Sequence, residues 1–525
     1  MRMLRLLLAS FVISASVHGY KILVYSPKLG HSHSNFMGRI ADTLVEAGHN
    51  VTTLMPVALS AIGDGTTKSR VIHVVPNEKT AAMFNDVLNG EFDMFEASLF
   101  DPIGTVMQGR VFGEMFANLC RDTINTPGLV EQLRADSYDV LIAEPFEVCG
   151  LGMVPYIAPK ATIVVSSTTL MNSMYTDLGI PLALSYNPAF LMSSLNPQSI
   201  IDRFWNLFAQ FLSVISFPRS WTEDVLRERF GPNHPTISSI SSHAAVAFTN
   251  GEPLLNVASP TLHKVVDIAG LGAKEPKVLE KKWLDILGLR PRTVLISFGS
   301  IAKSSLLKPE AKRAILETVA HFPDVTFIWK YEKPEDDFAL KEAAKQPNLV
   351  LTKWMPQNDL LNDTRLAAFV THGGMGSVQE SARRGVPVIL LPLFGDQPRN
   401  ALMMQERGLG MVLDKRHIWN SPKIIAALDE ILSDSSYKTR ASEMARKLAG
   451  KPFSAQELLV KNVEFAAEFG ASEALRPASI DMSFVALYNL DLLFIAFVIT
   501  SVAAMLFLRL VQAIVVRVVV KSKLE

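Results

Sequence analysis

Short, nearly uninterrupted apolar runs alternate along the chain with longer stretches of helical periodicity. "KILVYS", "VTTLM", "RVIHVV", "DVLIAEPF" and "TIVVSS" make a first series. Runs apolar on both faces predict strands of a parallel sheet covered on both sides. Between the first two, "NFMGRIADTLVEAGH" sets Phe36, Ile40, Leu44 and Val45 at helical spacing with Gly48 as the stop, which completes a β-α-β unit. A second series, "TVLISFGS", "VTFIWKY", "LVLTKW", "AAFVTHGG" and "PVILLP", follows the loop "GLGAKEPK" and alternates with helices such as "PEAKRAILETVAHF". The pattern predicts an α/β chain of two Rossmann-like doubly wound domains facing a cleft, over residues 20–272 and 273–480. Ligands bind beyond the carboxyl ends of such strands, so the chemistry is expected in the loops that follow them.

One stretch fits neither series. "IIDRFWNLFAQFLSVISF" (200–217) places Ile201, Trp205, Phe208, Leu212 and Ile215 on a wide apolar face, interrupted by Asp202, Arg203 and Gln210. Those polar residues argue against a membrane span. An ordinary buried helix is expected, with an acceptor-pocket wall or a membrane-surface helix as the alternatives.

Both ends read as addresses. "MRMLRLLLASFVISASVHG" (1–19) has Arg2 and Arg5, an apolar run and then small residues, the pattern of a secretory signal peptide. "LLFIAFVITSVAAMLFL" (492–508) is uncharged and, lengthened by Phe484 to Leu490, gives a transmembrane helix placed at 485–510. Arg509, Arg517, Lys521 and Lys523 follow it, so the tail at 511–525 is expected in the cytosol and the bulk of the chain in the lumen. The final "KSKLE" resembles a di-lysine retrieval signal for the endoplasmic reticulum membrane, or holds lysines that snorkel past the span. A lumenal chain has two glycan acceptors, Asn50 ("NVT") and Asn362 ("NDT"); Asn50 opens a strand, which favours Asn362.

Composition narrows the class. The 525 residues carry a net charge of +0 with 49% hydrophobic content, which suits two globular domains with a membrane segment and gives nucleic acid no electrostatic foothold. Cys120 and Cys149 allow one bridge or none. No cluster with metal-ligand spacing stands out, and "PEDDF" reads as a solvated charge run, so no metal is assigned.

The densest chemistry lies in "WMPQNDLLNDTRLAAFVTHGGMGSVQESARRGVPVILLPLFGDQ" (354–397). A strand runs into a histidine, two glycines and a helix start, an arrangement that offers backbone N–H groups and a helix N-terminus to an anion. Trp354 presents an indole face for a flat base. Gln357 carries both amide groups for reading base or ribose edges. His372, beside Gly373 and Gly374, can donate to a phosphate oxygen, with Ser377 extending the cradle and Glu380 placed to accept from hydroxyls. Ser300, in "FGS" after another strand, offers a second contact, and Asp396 and Gln397 follow the last run of the stretch.

This 44-residue stretch closely resembles the donor-binding signature of UDP-glycosyltransferases, the family that includes the UDP-glucuronosyltransferases. The signal, span and basic tail extend the resemblance over nearly the whole chain. It implies the GT-B fold, with an N-terminal acceptor domain and a C-terminal UDP-sugar domain. It also implies uracil stacking on Trp354, diphosphate contacts at Ser300, His372, Gly374, Gly376 and Ser377, ribose at Glu380, and sugar hydroxyls at Asp396 and Gln397. At Gly376 vertebrate members usually carry asparagine; glycine keeps the backbone donor and loses the side-chain amide.

The N-terminal half must then supply a base. "GHSHSNF" follows the first strand as a loop, and His33, about sixteen residues before His49, matches the family's catalytic histidine; His31 competes on chemistry alone. Imidazole titrates near neutrality and can take a hydroxyl proton. A carboxylate partner would orient the ring. Where related families place aspartate after the "DV" strand, this chain has Glu144, with Glu147 as an alternative. These features imply an inverting enzyme that moves glucose or glucuronic acid from a UDP-sugar to a hydroxyl of a small lipophilic acceptor. No further cofactor is implied, and a homo- or hetero-oligomer is left open. A lipid (sphingolipid-type) glycosyltransferase and a UDP-sugar-binding partner protein without turnover are the competing readings.

Overall fold

The first apolar runs form β1 (Lys21–Tyr25), β2 (Asn50–Pro56), β3 (Arg70–Val74), β4 (Val140–Ala143) and β5 (Ala161–Ser166), and two short strands that the patterning misses, β6 (Val246–Thr249) and β7 (Val265–Asp267), complete their sheet. The second series forms β8 (Arg292–Ser297), β9 (Val325–Lys330), β10 (Leu349–Thr352), β11 (Leu366–Thr371) and β12 (Val388–Leu390), joined by an unforeseen β13 (Gly410–Val412). The helices that matter below are α1 (His31–Glu46), α2 (Pro102–Ile124), α3 (Ile200–Ser216), α4 (Met375–Arg384), α5 (Gln397–Glu406), α6 (Ala455–Phe469) and α7 (Leu490–Ser522). The computed structural model describes residues 19–523 except 88–94, 96–100, 190–191, 193–194, 217–218 and 274. The expected signal peptide, save Gly19, and the final two residues lie outside the described residues.

Both sheets are parallel, in the orders β3-β2-β1-β4-β5-β6-β7 and β10-β9-β8-β11-β12-β13. Strand order reverses between β1 and β4 and again between β8 and β11, and the ends of these pairs are aligned, Tyr25 opposite Ala143 and Ser297 opposite Thr371. The loops leaving the carboxyl ends there diverge to opposite faces and leave a crevice.

Side chains alternate across the first sheet. Ile22 and Val24 pack with Phe36, Ile40 and Leu44 of α1, while Leu23 and Tyr25 join a second core on the other face. Leu459, Val463, Ala466 and Ala467 of α6 lie in the same core as α1. The chain therefore returns to the first lobe after building the second, and the expected span 273–480 describes chain order rather than packing. Cys120 of α2 and Cys149 form a disulfide, which settles the open pairing.

Three expectations need correction. Helix α1 starts at His31, so His33 lies in a helical turn rather than in a loop. Helix α3 is not an ordinary buried helix. Its interior face mixes Asn206, Gln210 and Ser216 with Ala209 and Leu212, and Asn206 accepts from the Ala189 N–H and donates to the Leu184 and Asn187 carbonyls. Ile200, Ile201, Phe204, Trp205, Leu207, Phe211, Val214 and Ile215 face outward. Periodicity identified the helix but could not say which side was inside. Finally, the apolar C-terminal helix begins at Leu490 after a break at Asn489 (φ 52°) and continues past Arg509 and Arg517, beyond the expected end at 510. Among the described residues it is the one helix long and apolar enough to cross a membrane, over Leu490–Val520.

Candidate active site between the lobes

The loop after β1 turns directly into α1 and aims its first turn at the second lobe. His33 donates or accepts through Nδ1 with Glu144 Oε2 at 2.7 Å. Glu144 leaves the end of β4, the neighbour of β1, so the switch point brings the two together. The longer side chain of glutamate reaches the ring without a gap. Its other oxygen, Oε1, accepts from the Ser167 N–H at 3.0 Å and the Ser167 hydroxyl at 2.6 Å. The Ser167 hydroxyl also lies 3.0 Å from His33 Nδ1. Phe146 stacks on the imidazole with centroids 4.9 Å apart.

The electrostatics suit a base. Burial acts to lower the His33 pKa, but the Glu144 charge and hydrogen bond, with Asp396 adding across the cleft, hold it above the ordinary imidazole value. Burial acts to raise Glu144, and the His33 charge together with the bonds from His33 and Ser167 carries it below the usual carboxylate value. His31, the competitor, is exposed and faces Lys330; burial and that cation lower its pKa. Glu147, the alternative carboxylate, points elsewhere: it accepts from Tyr25 Oη at 2.6 Å and from the Cys149 N–H, and burial pushes it up to about 7. It braces the loop. Cys120, Glu147 and Cys149 have ligating atoms close together, but the disulfide occupies both sulfurs.

On the second lobe, β11 ends in Thr371 and the chain passes through His372 and Gly373 into α4, with Gly374 at its N-cap. Gly373 has φ 83° and Gly299 φ 86°, left-handed conformations that favour glycine. A Cβ at Gly299 or Gly374 would lie 2.7 Å from the His372 ring, so both positions must be small for the imidazole to lie between the two loops. Burial, with Lys330 adding, pushes His372 down to about 4. The ring is therefore neutral at neutral pH and has one N–H to offer. Ser300 is exposed beside this cradle. Lys330, at the end of β9, donates to the Gly299 carbonyl and stands 3.7 Å from Glu332.

The remaining predicted residues gather around the same helix. Gln357 Nε2 donates to Glu380 Oε2 at 2.7 Å and lies 3.2 Å from Ser377 Oγ. Trp354 is 73% exposed, its indole free to receive a flat partner. Asp396 is at the N-cap of α5 but does not cap it; its Oδ2 accepts from Asn400 Nδ2 at 2.7 Å. Gln397 is buried, with Oε1 taking the Leu393 and Phe394 N–H groups, so only its amide nitrogen is left to face a ligand. Gly376 is exposed, and a Cβ there would meet nothing within 4 Å.

Ser167 and Lys330 were missed by sequence reasoning. Both end strands read correctly from the patterning, "TIVVSS" and "VTFIWKY", so the rule that ligands sit beyond strand ends was the signal that could have found them.

Comparison with known proteins agrees with this geometry. Residues 20–524 match the family model described as UDP-glucoronosyl and UDP-glucosyl transferase. A Caenorhabditis elegans protein carrying the UDP-glucuronosyltransferase name, ugt-48, is 30% identical over 501 residues, covering 94% of this chain and 95% of its own. UDP-glucuronosyltransferase 3A1 of Bos taurus is 27% identical over 515 residues, covering 94% of each chain. Among solved structures, the calicheamicin glycosyltransferase CalG4 superposes with a TM-score of 0.55 at 16% identity, over 86% of this chain and 100% of its own. The spinosyn rhamnosyltransferase SpnG, complexed with thymidine diphosphate, gives 0.54 at 16% identity, over 85% and 100%. At that identity these two speak for the fold, which is GT-B. The chain thus belongs to the UDP-glucuronosyltransferase family and is a glycosyltransferase that draws its sugar from a UDP-sugar.

Proposed function

We propose that the enzyme transfers glucose or glucuronic acid with inversion from its UDP conjugate to a hydroxyl of a small lipophilic acceptor. The observation that carries this reading is the part-buried His33–Glu144 pair at 2.7 Å, opposite Asp396 across the cleft. His33 takes the acceptor's proton through Nε2 while Nδ1–H stays on Glu144, and the freed oxygen attacks the anomeric carbon from the face opposite UDP. Asp396 and the Gln397 amide nitrogen hold sugar hydroxyls. UDP leaves into the cradle of His372, the α4 N-terminus, Ser300 and Ser377, where fixed donors meet the growing charge. Trp354 stacks the uracil and Gln357 and Glu380 bind the nucleoside edge. That SpnG is complexed with thymidine diphosphate supports a nucleoside diphosphate as the leaving group here. The apolar helix α7 and the basic residues toward its C-terminal end support a single-pass anchor in the endoplasmic reticulum membrane with both lobes lumenal.

The test is His33→Ala assayed with UDP-glucose and UDP-glucuronate and a permissive phenol. Transfer should fall by about a thousandfold or more, in line with loss of a general base, while UDP affinity stays within twofold. A variant that keeps full activity removes His33 from the mechanism.

A further inference from the structure

A continuous path of direct hydrogen bonds joins the helix that cradles the donor to the carboxylate that holds the base. It begins at Gln379, buried on α4. Gln379 Nε2 donates to the Asn250 carbonyl at 2.6 Å and to Asn250 Oδ1 at 2.9 Å, and Gln379 Oε1 accepts from the Gly270 N–H at 3.0 Å. Asn250 follows β6 on the first lobe, and its Nδ2 donates to the Ser167 carbonyl at 2.9 Å. Ser167 then holds Glu144 Oε1 through its N–H and hydroxyl, and Glu144 Oε2 holds His33.

The direction of every bond is fixed. The Gly270 N–H can only donate, so the Gln379 oxygen must face it and the nitrogen must face Asn250. Asn250 Oδ1 is thereby an acceptor, which leaves its nitrogen for the Ser167 carbonyl. Turning either amide over would set acceptor against acceptor, or donor against donor, in a part-buried interface.

We propose that Gln379 and Asn250 are positioning residues for the base, locking the donor lobe to the loop that carries Ser167 so that Glu144 orients His33 only in the closed lobe arrangement. The idea rests on the catalytic reading above. It assigns this amide pair a function beyond interface stability: the same helix that meets the leaving diphosphate reports its position to the proton acceptor.

The titratable groups around His33 are Glu144, which bonds it, and Asp396 across the cleft, with His31 in the same helical turn, Lys330 beyond His31, and Glu147 lining the same pocket while bonded to Tyr25. None is altered by substituting the amides. In Asn250→Ala or Gln379→Leu the grip of Ser167 on Glu144 slackens and Glu144 supports the imidazolium less. The full-length protein in detergent is treated with diethyl pyrocarbonate across a pH series, without donor or acceptor, and modification of His33 is followed by peptide mass spectrometry, with exposed His243 as the internal reference. Neutral imidazole is the reactive form, so the labelling midpoint reads the His33 pKa. Both variants should shift the midpoint downward, lower kcat about tenfold, as expected for loss of one buried hydrogen bond, and leave the KM for the UDP-sugar within about twofold. A His33 midpoint unchanged in both folded variants overturns the proposal, whatever happens to turnover. If instead the wild type transferred no sugar at all, the catalytic reading would fall, and the labelling would still decide the coupling.

Discussion

Replacing Glu144 by glutamine isolates the charge and proton directionality of the dyad with almost no change of shape. Two donors on Ser167, one of them a backbone N–H that cannot reverse, converge on Oε1. The glutamine carbonyl must therefore take that place, which turns its NH2 group toward His33 Nδ1, 2.7 Å away in the native protein. Facing a donor, Nδ1 becomes the acceptor and the ring proton moves to Nε2, the atom that must receive the acceptor's proton. The imidazole is then in the wrong tautomer, and in the right one Nδ1–H faces an amide N–H instead of the native carboxylate, forfeiting a charge-assisted bond worth about 1.5–3 kcal/mol. At about 1.4 kcal/mol per factor of ten, kcat should fall at least tenfold to a hundredfold, and further because the imidazolium formed in the reaction loses its counter-charge. The pH profile supplies the sign. Glu144 raises the His33 pKa, so native activity is lost as pH falls through that raised value, where the base becomes protonated. Without the carboxylate, burial acts with less opposition and the acid limb of kcat/KM moves to lower pH. Initial rates across pH with one UDP-sugar and one phenol, beside UDP titration by calorimetry, measure both effects. A variant with kcat within threefold of native and an unmoved acid limb would refute the reasoning.

Gly376→Asn should fit without strain, since a Cβ there meets nothing within 4 Å; one added amide contact is worth about 1 kcal/mol, so donor KM should drop about fivefold with kcat little changed. Trp354→Ala should weaken UDP several-fold, as loss of a stacking contact of about 0.5–1.5 kcal/mol implies, yet leave the melting temperature unmoved because the indole is exposed. Replacing Cys120 and Cys149 by serine opens a loop with a sequence separation of 29 and should cost about 3 kcal/mol of stability, read as a lowered denaturation midpoint.

The strands of the first series and of the second were legible because each buried parallel strand is a near-continuous apolar run. β6, β7 and β13 escaped the patterning: β7 and β13 are partly buried strands of three residues, whereas β12, equally short, was legible because apolar residues flank it in "PVILLP". The turn from β11 into α4 was legible as one contiguous stretch, where glycine, histidine and a helix start lie side by side in the chain. Glu144 and His33 were found only through a family's spacing, since 111 residues separate them. Ser167 was marked only by its place after a strand, and Asn250 and Gln379 not at all: a serine or an amide has no periodic signature, and the contacts that give them meaning span 134, 83 and 129 residues. Helix α3 shows the opposite failure. Its period was plain, but an apolar stripe marks the interior only when the opposite side is not already tied down, and Asn206 ties down the polar side.

The last segment before the apolar helix is clasped to the first lobe, Ser479 Oγ donating to the Gly179 carbonyl at 2.7 Å with Pro477 and Ile480 alongside. Helix α6 has already returned to that lobe by then. The apolar helix is thus moored to the first lobe, and the second lobe hangs from it as an outboard arm. Any breathing of the cleft therefore moves the second lobe relative to that helix, while the first lobe and the helix keep their mutual position.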